Sequence, residues 1–158
     1  MRNSIRKALY KDIPGIHELL RQVNLVHHLG RPDLFKKANK YTDEEIKAII
    51  DDPGQLLLVC VDESETVTGH AFCIYQQQIA SNLLTDVKTL YIDDICVDEN
   101  HRRQHIGQQL FAEVMQIAAN TGCYNITLNV WALNPSALSF YQSLGMQTLK
   151  TTLETKLG

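Results

Sequence analysis

The chain has 158 residues and a formal net charge of −3, from 15 basic and 18 acidic side chains. This length suits one domain, residues 1–158, which buries about 68–70% of the surface that its unfolded chain exposes. The composition is that of an ordinary soluble globular protein, and the slight acidity argues against a nucleic-acid-binding surface over the whole molecule.

The cysteine spacing and the hydropathy exclude several classes of protein. No two of the four cysteines form a C-x-x-C pair, so no zinc site is predicted. Most of them lie in apolar runs, which favours free thiols in a reducing cytoplasm over a disulfide framework. Residues 1–12 contain no long apolar stretch, and no run reaches the roughly 18 apolar residues of a membrane span. We therefore expect a cytoplasmic protein without a metal or a membrane partner.

In chain order, the first half predicts a strand, two helices and a β-hairpin, at residues 5–9, 12–30, 42–54 and 56–75. Asp12 is the expected N-cap of the first helix, since aspartate is a favoured capping residue. Pro14 then falls in the first turn, where proline is tolerated. Gly30 ends that helix. The second helix begins at Thr42 or Asp43.

The second half predicts alternating strands and helices, at residues 90–97, 106–119, 125–131 and 134–144, and two short β-like pieces in the tail at 146–156. A helix connects the strands at 90–97 and 125–131, so these two strands are expected to pair in parallel. The hairpin requires antiparallel pairing. The predicted fold class is therefore α/β with a mixed sheet.

A basic turn, HRRQHIG at residues 101–107, joins the strand at 90–97 to the following helix. A helix that starts near residue 105 presents unpaired N–H groups and the positive end of its dipole, which together bind anions. Arg102 and Arg103 add permanent charge, and Gly107 lets the backbone approach a phosphate. A solvated basic turn with a glycine that only packs explains these residues almost equally well.

Two motifs within residues 89–150 resolve this ambiguity. Arg102 and Gly107 match the first and last positions of a loop pattern Arg/Gln-x-x-Gly-x-Gly/Ala, with His105 at the usual first glycine. Asn134 is followed seven residues later by Tyr141, in a predicted helix that ends in glycine. In this combination the segment resembles the GNAT superfamily of N-acetyltransferases. The N-terminal third fits that family in element order only.

The resemblance implies a GNAT fold, with a central, mixed, mostly antiparallel sheet, splayed parallel central strands and flanking helices. It also implies that acetyl-coenzyme A, and no metal, binds between the splayed strands at 90–97 and 125–130. The implied cosubstrate-binding residues are Ile95, Cys96 and Val97 for the pantetheine arm, Arg102, Arg103, Gln104, His105, Ile106, Gly107 and Gln108 for the diphosphate, and Asn134 and Tyr141 further along. If residue 105 needs positive φ, histidine is uncommon there but tolerated.

Acetyl transfer to an amine needs a proton acceptor, donors for the oxyanion and a proton donor for the departing thiolate. The resemblance makes Tyr141 that donor, whereas its position beside Phe140 alone would favour a core tyrosine. N–H groups near Val97 are the expected oxyanion donors. His27 and His28 are further candidate bases, although partly buried surface histidines are more common.

Asp93 and Asp94 are adjacent acids in an apolar strand. Alternation sends their side chains to opposite faces of the sheet unless a β-bulge intervenes. The pair resembles the acids with which polyamine-type GNAT enzymes bind and help to deprotonate a cationic substrate, so both are predicted to be catalytic. The alternative is that one aspartate is solvated and the other caps a turn.

The predicted function is transfer of an acetyl group from acetyl-coenzyme A to the primary amine of a small, cationic acceptor, by direct attack through a tetrahedral intermediate. One alternative is a protein or peptide N-acetyltransferase, which Asn129 disfavours because enzymes acting on ribosomal-protein N-termini carry glutamate there. The other is a non-catalytic acyl-coenzyme A sensor, which Asn134 and Tyr141 together disfavour. Tyr91 and Trp131 line the acceptor pocket or pack in the core. The expected partners are a small amine and, by resemblance, a second copy in a homodimer, with no nucleic acid.

Overall fold

The computed structural model describes residues 3–158. Its five-stranded sheet has the order β1 (Ser4–Lys7), β2 (Gln55–Val61), β3 (Val67–Gln77), β4 (Lys88–Val97) and β5 (Asn125–Leu128). The helices are α1 (Ile13–Gly30), α2 (Asp43–Asp51), α3 (Ile106–Asn120) and α4 (Pro135–Ser143). Neighbouring strands from β1 to β4 pair antiparallel, and β5 pairs with β4 in parallel. The predicted mixed α/β fold is confirmed.

The predicted tail strands are wrong. Residues 146–158 contain no strand, and the three leucines of this tail, Leu149, Leu153 and Leu157, are exposed. The tail is held instead by an ion pair between Arg31 and Glu154, with Nη1 and Oε1 2.8 Å apart. A β-like residue pattern forms a strand only where another strand offers its edge, and the tail pairs with none. β5 likewise ends at residue 128, three residues before the predicted end.

The two layers of helices lie on opposite faces of the sheet. α1 and α2 pack on the face that carries Val59 and Phe72. α3 packs on the other face, against Cys73 and Ile92. All four cysteines are free, as predicted. Within residues 3–158, no helix is long and apolar enough to cross a membrane.

Local hydrogen bonds anchor the helices that surround the candidate site. Asp12 precedes α1 as predicted, but its carboxylate accepts hydrogen bonds from Arg6 at 2.7 Å and from the Leu9 N–H at 2.8 Å, and so ties β1 to α1. Thr42 begins α2 with a capping box, in which its hydroxyl accepts from the Glu45 N–H at 3.2 Å and the Glu45 carboxylate accepts from the Thr42 N–H at 3.0 Å.

The start of α3 lies directly on β3. A Cβ atom added at Gly69 would come within 2.9 Å of Ile106 Cγ2 and 3.0 Å of Leu110 Cδ1. A side chain at this position would have to push these two apolar groups aside, so glycine suits the close approach. Because Gly69 is paired with Val97, the last residue of β4, this contact places the loop before α3 at the end of β4.

Candidate active site

β4 and β5 separate halfway along β4. Their parallel pairing joins residues 89–92 to residues 125–128, and β4 then continues to Val97 without a partner on that side among the described strands. The Asp98 N–H donates to the Thr68 carbonyl at 2.9 Å on the β3 side. By strand alternation, the backbone of Cys96 faces β3 as well, whereas the backbones of Ile95 and Val97 face the open edge.

A β-bulge in β4 brings both acidic side chains to one face. Asp94 lies opposite Phe72 and Ile92 lies opposite Cys73, so Asp93 is the extra residue. The side chains of Asp93 and Asp94 consequently both point to the α1 and α2 face, where they are 23% and 10% exposed. Both have partners there, so the alternative of one solvated and one turn-capping aspartate is wrong.

Asp94 is held by a buried histidine that sequence reasoning missed. His70 is fully buried, and its Nε2 lies 2.9 Å from Asp94 Oδ2. Burial would raise the pKa of Asp94, but the hydrogen bond from His70 and the positive charge of Lys40 hold that pKa below its usual value. The carboxylate is therefore an acceptor and His70 Nε2 donates.

The other ring nitrogen of His70, Nδ1, is buried and has no hydrogen-bond partner among the described residues. An unpaired buried N–H costs more than an unpaired lone pair, which favours a neutral ring with its hydrogen on Nε2. The available sequence signal was a histidine within the apolar strand GHAFCI.

Asp93 has a different environment. Its Oδ2 accepts hydrogen bonds from Lys40 Nζ and from the Tyr41 hydroxyl, each at 2.9 Å. Burial, and then the charge of Asp93, raises the pKa of Tyr41, so this hydroxyl stays protonated and donates. The two neighbouring carboxylates thus differ: Asp94 pairs with a buried imidazole and Asp93 with a partly exposed ammonium.

Tyr141 approaches the same region from α4. Its side chain is buried, with ring centroids 5.2 Å from Phe140 and 6.4 Å from Phe111. Burial raises the pKa of Tyr141, and the negative charge of Asp94 raises it further, so the hydroxyl is protonated at neutral pH. Asn134 caps α4 by accepting from the Ala137 N–H at 3.3 Å, which leaves its amide nitrogen available as a donor.

The loop before α3 contains two residues with positive φ and leads directly into the helix. Arg103 and His105 have left-handed backbones, with φ of 69° and 61°, so residue 105 does need a positive φ and histidine adopts it. α3 begins at Ile106, so the N–H groups of residues 106–108 have no hydrogen-bond acceptor within the helix. Arg102 and Arg103 are exposed, and neither forms an ion pair within residues 3–158. Such a run of free donors and positive charge favours an anion.

Gly107 also has a packing role. A Cβ atom at this position would come within 3.0 Å of the Phe140 ring. The missing side chain therefore lets α4 pack against the first turn of α3, and Phe140 precedes Tyr141 in that helix. The position of Tyr141 thus depends on a glycine in the basic loop.

Aromatic side chains lie beside the acidic pair. His27, Phe35 and Trp131 form a cluster, with ring centroids 4.8 Å apart for His27 and Phe35 and 4.9 Å apart for Phe35 and Trp131. Trp131 is 44% exposed, which excludes a core role. Asn129 donates from Nδ2 to the Tyr91 hydroxyl at 3.1 Å. Burial lowers the pKa of His27, so its imidazole is largely neutral at pH 7.

The family model described as "Acetyltransferase (GNAT) family" matches residues 23–146. The chain belongs to the GNAT acetyltransferase family. GNAT acetyltransferases are acyltransferases that use acetyl-coenzyme A as the acetyl donor, so the predicted family and enzyme class are confirmed. Residues 3–158 contain no group of three or more His, Cys, Asp and Glu side chains that is arranged to hold a metal ion.

Relatives and solved structures agree with this family. Thialysine N-epsilon-acetyltransferase of Mus musculus is 27% identical over 143 residues, and that of Sus scrofa is 32% identical over 141; each alignment covers 89% of this chain and 76% of the relative. A mutant of the BH1408 protein from Bacillus halodurans superposes with a TM-score of 0.94 at 30% identity, over 98% of this chain and 99% of that one. Glucosamine-6-phosphate N-acetyltransferase from Arabidopsis thaliana, at 20% identity, covers both chains fully with a TM-score of 0.73 and shares the fold.

The contact between Gly107 and Phe140 predicts a specific energetic coupling in this GNAT protein. We expect Gly107→Ala to lower the free energy of unfolding by roughly 1–3 kcal/mol, because the added methyl group overpacks against the ring. In a Phe140→Leu background the same change is expected to cost less. Urea unfolding of the wild type, both single variants and the double variant measures the coupling. Strictly additive changes in the free energy of unfolding would show that the two residues do not interact.

Removal of His70 is predicted to raise the pKa of Asp94, because burial then acts without the opposing hydrogen bond. In the wild type the lowered folded-state pKa means that the Asp94 carboxylate stabilises the fold above its unfolded pKa, about 3.9. That stabilisation is lost as the pH falls through the folded-state pKa. Titration of the Asp94 carboxyl carbon by NMR in His70→Phe measures the shift. His70→Gln keeps a donor and is the control; equal pKa values in both variants would contradict the assignment.

Proposed function

We propose that this GNAT enzyme transfers the acetyl group of acetyl-coenzyme A to the primary amine of a small, cationic acceptor. The bulge at Asp93 carries this proposal, because it places two carboxylates on one face of β4, at the point where β4 loses its partner β5. Two adjacent, partly buried negative charges favour a positively charged ligand. Thialysine is a lysine analogue whose side chain ends in a primary amine, so the names of the two curated relatives fit the same chemistry.

The described residues suit coenzyme A at the open edge of β4. The backbones of Ile95 and Val97 are free to pair with the amide groups of the pantetheine arm, as an added strand would. Asn134 offers an amide donor further along the arm. The Cys96 thiol contacts the Leu19 carbonyl at 3.5 Å, which fixes this residue of β4 against α1. We assign the diphosphate to the basic loop, whose residues are Arg102, Arg103, Gln104, His105, Ile106, Gly107 and Gln108. When bound, acetyl-coenzyme A would supply an activated thioester.

The acidic pair is better suited to hold an ammonium than to deprotonate it. An alkylammonium has a pKa of about 10.4, and the lowered pKa of Asp94 makes that carboxylate a weak base. A neutral imidazole is a better proton acceptor at pH 7. His27 has such an imidazole, and it interacts electrostatically with both Asp94 and Lys40. We therefore assign binding and orientation of the acceptor to Asp93 and Asp94, and acceptance of the amine proton to His27.

Tyr141 is assigned to the departing thiolate as a hydrogen-bond donor. The parent thiol has a pKa of about 8.5, and full proton transfer from a tyrosine whose pKa is raised is unfavourable. The charge of Asp94 contributes to that raised pKa. A cationic acceptor beside Asp94 offsets this charge and lowers the pKa of Tyr141 towards that of the thiol. The Val97 N–H would then stabilise the oxyanion of the attacked carbonyl, and Tyr141 would stabilise the departing thiolate.

A panel of acceptors tests the proposal directly. We expect thiol release from acetyl-coenzyme A with polyamines or lysine-like amines, and slower release with aminoglycosides and peptide N-termini. Asp94→Asn should lower kcat/KM most for acceptors of highest positive charge, because it removes one of the two carboxylates that attract the ammonium. Binding of coenzyme A without release for any amine would instead support the non-catalytic sensor. Efficient release with peptides alone would support the protein acetyltransferase.

Tyr141→Phe separates catalysis from binding. We expect kcat to fall by about 10²–10⁴-fold, the usual contribution of a positioned proton donor. Binding of coenzyme A, measured by calorimetry, should stay close to wild type because the ring and its contacts with Phe111 and Phe140 remain. Wild-type turnover in this variant would remove Tyr141 from the mechanism.

A further inference from the structure

A primary ammonium already occupies the Asp93 side of the acceptor region. Lys40 Nζ lies 2.9 Å from Asp93 Oδ2 and 5.4 Å from the centroid of the Tyr41 ring. The Tyr41 hydroxyl donates to the same carboxylate oxygen at 2.9 Å. A carboxylate beside an aromatic face is a favourable environment for an alkylammonium, through a charge-assisted hydrogen bond and a cation–π contact.

The walls of this subsite are fixed, whereas its occupant is not. Tyr41 stacks on Phe72, with ring centroids 5.4 Å apart, and packs against the core between the sheet, α1 and α2. The capping box at Thr42 holds the chain immediately after Tyr41. The Lys40 side chain is 39% exposed and belongs to the segment before α2. An ion pair of such exposure contributes little to stability, so Lys40 can leave at small cost.

The second carboxylate lies nearer to the reacting groups. Asp94 is held by His70, and its charge acts on Tyr141 and on Cys96. Asp93 is instead bound from the side of α2, through Lys40 and Tyr41. An acceptor that reacts beside Asp94 therefore has a second position for positive charge beside Asp93.

We propose that Lys40 is an exchangeable occupant of a second ammonium subsite, formed by Asp93 and Tyr41, and that the acceptor is a diamine whose non-reacting ammonium displaces it. The inference rests on the proposed function, since it extends the same acceptor site. A monoamine leaves Lys40 in place and gains nothing from Asp93. A diamine gains the carboxylate and the ring only after Lys40 has left, so Lys40 sets the preference between the two classes.

Lys40→Ala tests this exchange. Matched pairs of linear probes, from 1,3-diaminopropane with propylamine to 1,5-diaminopentane with pentylamine, are titrated calorimetrically into protein that holds coenzyme A. We expect the best diamine to bind up to about fivefold tighter to Lys40→Ala than to wild type, which corresponds to the upper range of an exposed ion pair. The matched monoamine should change less. Asp93→Asn should weaken diamine binding and abolish the effect of Lys40→Ala.

Lys47 provides a matched control. Its Nζ lies 3.3 Å from a Glu44 carboxylate oxygen and 5.8 Å from the centroid of the Tyr10 ring, which reproduces the lysine, carboxylate and tyrosine arrangement away from Asp93. Lys47→Ala should leave binding of every probe unchanged. Lys40→Gln serves as a second variant that keeps a long side chain without the charge, and it should tighten diamine binding in the same way.

Three results would overturn the subsite. These are equal tightening of diamine and monoamine, an effect of Lys47→Ala as large as that of Lys40→Ala, or no diamine binding to any variant. Failure of the proposed function has a different signature, because thiol release then stays at background with every amine while the effect of Lys40 on diamine binding persists.

Discussion

The β-bulge at Asp93 is the constraint on which the candidate site depends. If β4 alternated regularly and Asp94 kept its place beside His70, Asp93 would face α3 and its apolar core. An unpaired carboxylate there costs several kcal/mol. The extra residue puts both acids on the face of α1 and α2, and it also sets the register in which Ile95 and Val97 offer their backbones to the open edge.

The bulge brings two chemically identical aspartate side chains to one face of the sheet, but their environments differ. Asp94 lies against a fully buried imidazole that holds its pKa low. Asp93 lies against a flexible ammonium and a fixed phenol. Neighbouring carboxylates whose surroundings differ in this way can take different roles in one reaction. In the function proposed here, the division is between a rigid charge beside the reacting amine and an exchangeable position for a second charge.

The basic loop and the helix that carries Tyr141 are connected by a packing contact. Gly107 lies where the ring of Phe140 meets α3, so the basic loop and the helix that carries Tyr141 share one close contact. Gly69 performs the equivalent function beneath α3 and brings its first turn onto β3. Two close approaches at glycines therefore bring the first turn of α3 against both β3 and α4, the helix that carries Tyr141.

Much of the architecture was predictable from the sequence alone. Apolar periodicity and capping residues identified four helices and five strands to within a few residues, because these signals act between near neighbours in the chain. The loop motif with Arg102 and Gly107, and the pair Asn134 and Tyr141, sufficed for the family. Whether His105 would take a positive φ was left open by the sequence, and the structure shows that it does.

The tertiary structure alone decided which face each acid takes, that His70 pairs with Asp94, and that Lys40 reaches Asp93. It also decided that the tail forms no strand, despite its β-like pattern. These outcomes depend on pairing between segments distant in the chain, and a shift of one residue in such pairing moves every following side chain to the other face. The local sequence does not determine that shift, whereas it does determine the helices, the strands and the loop.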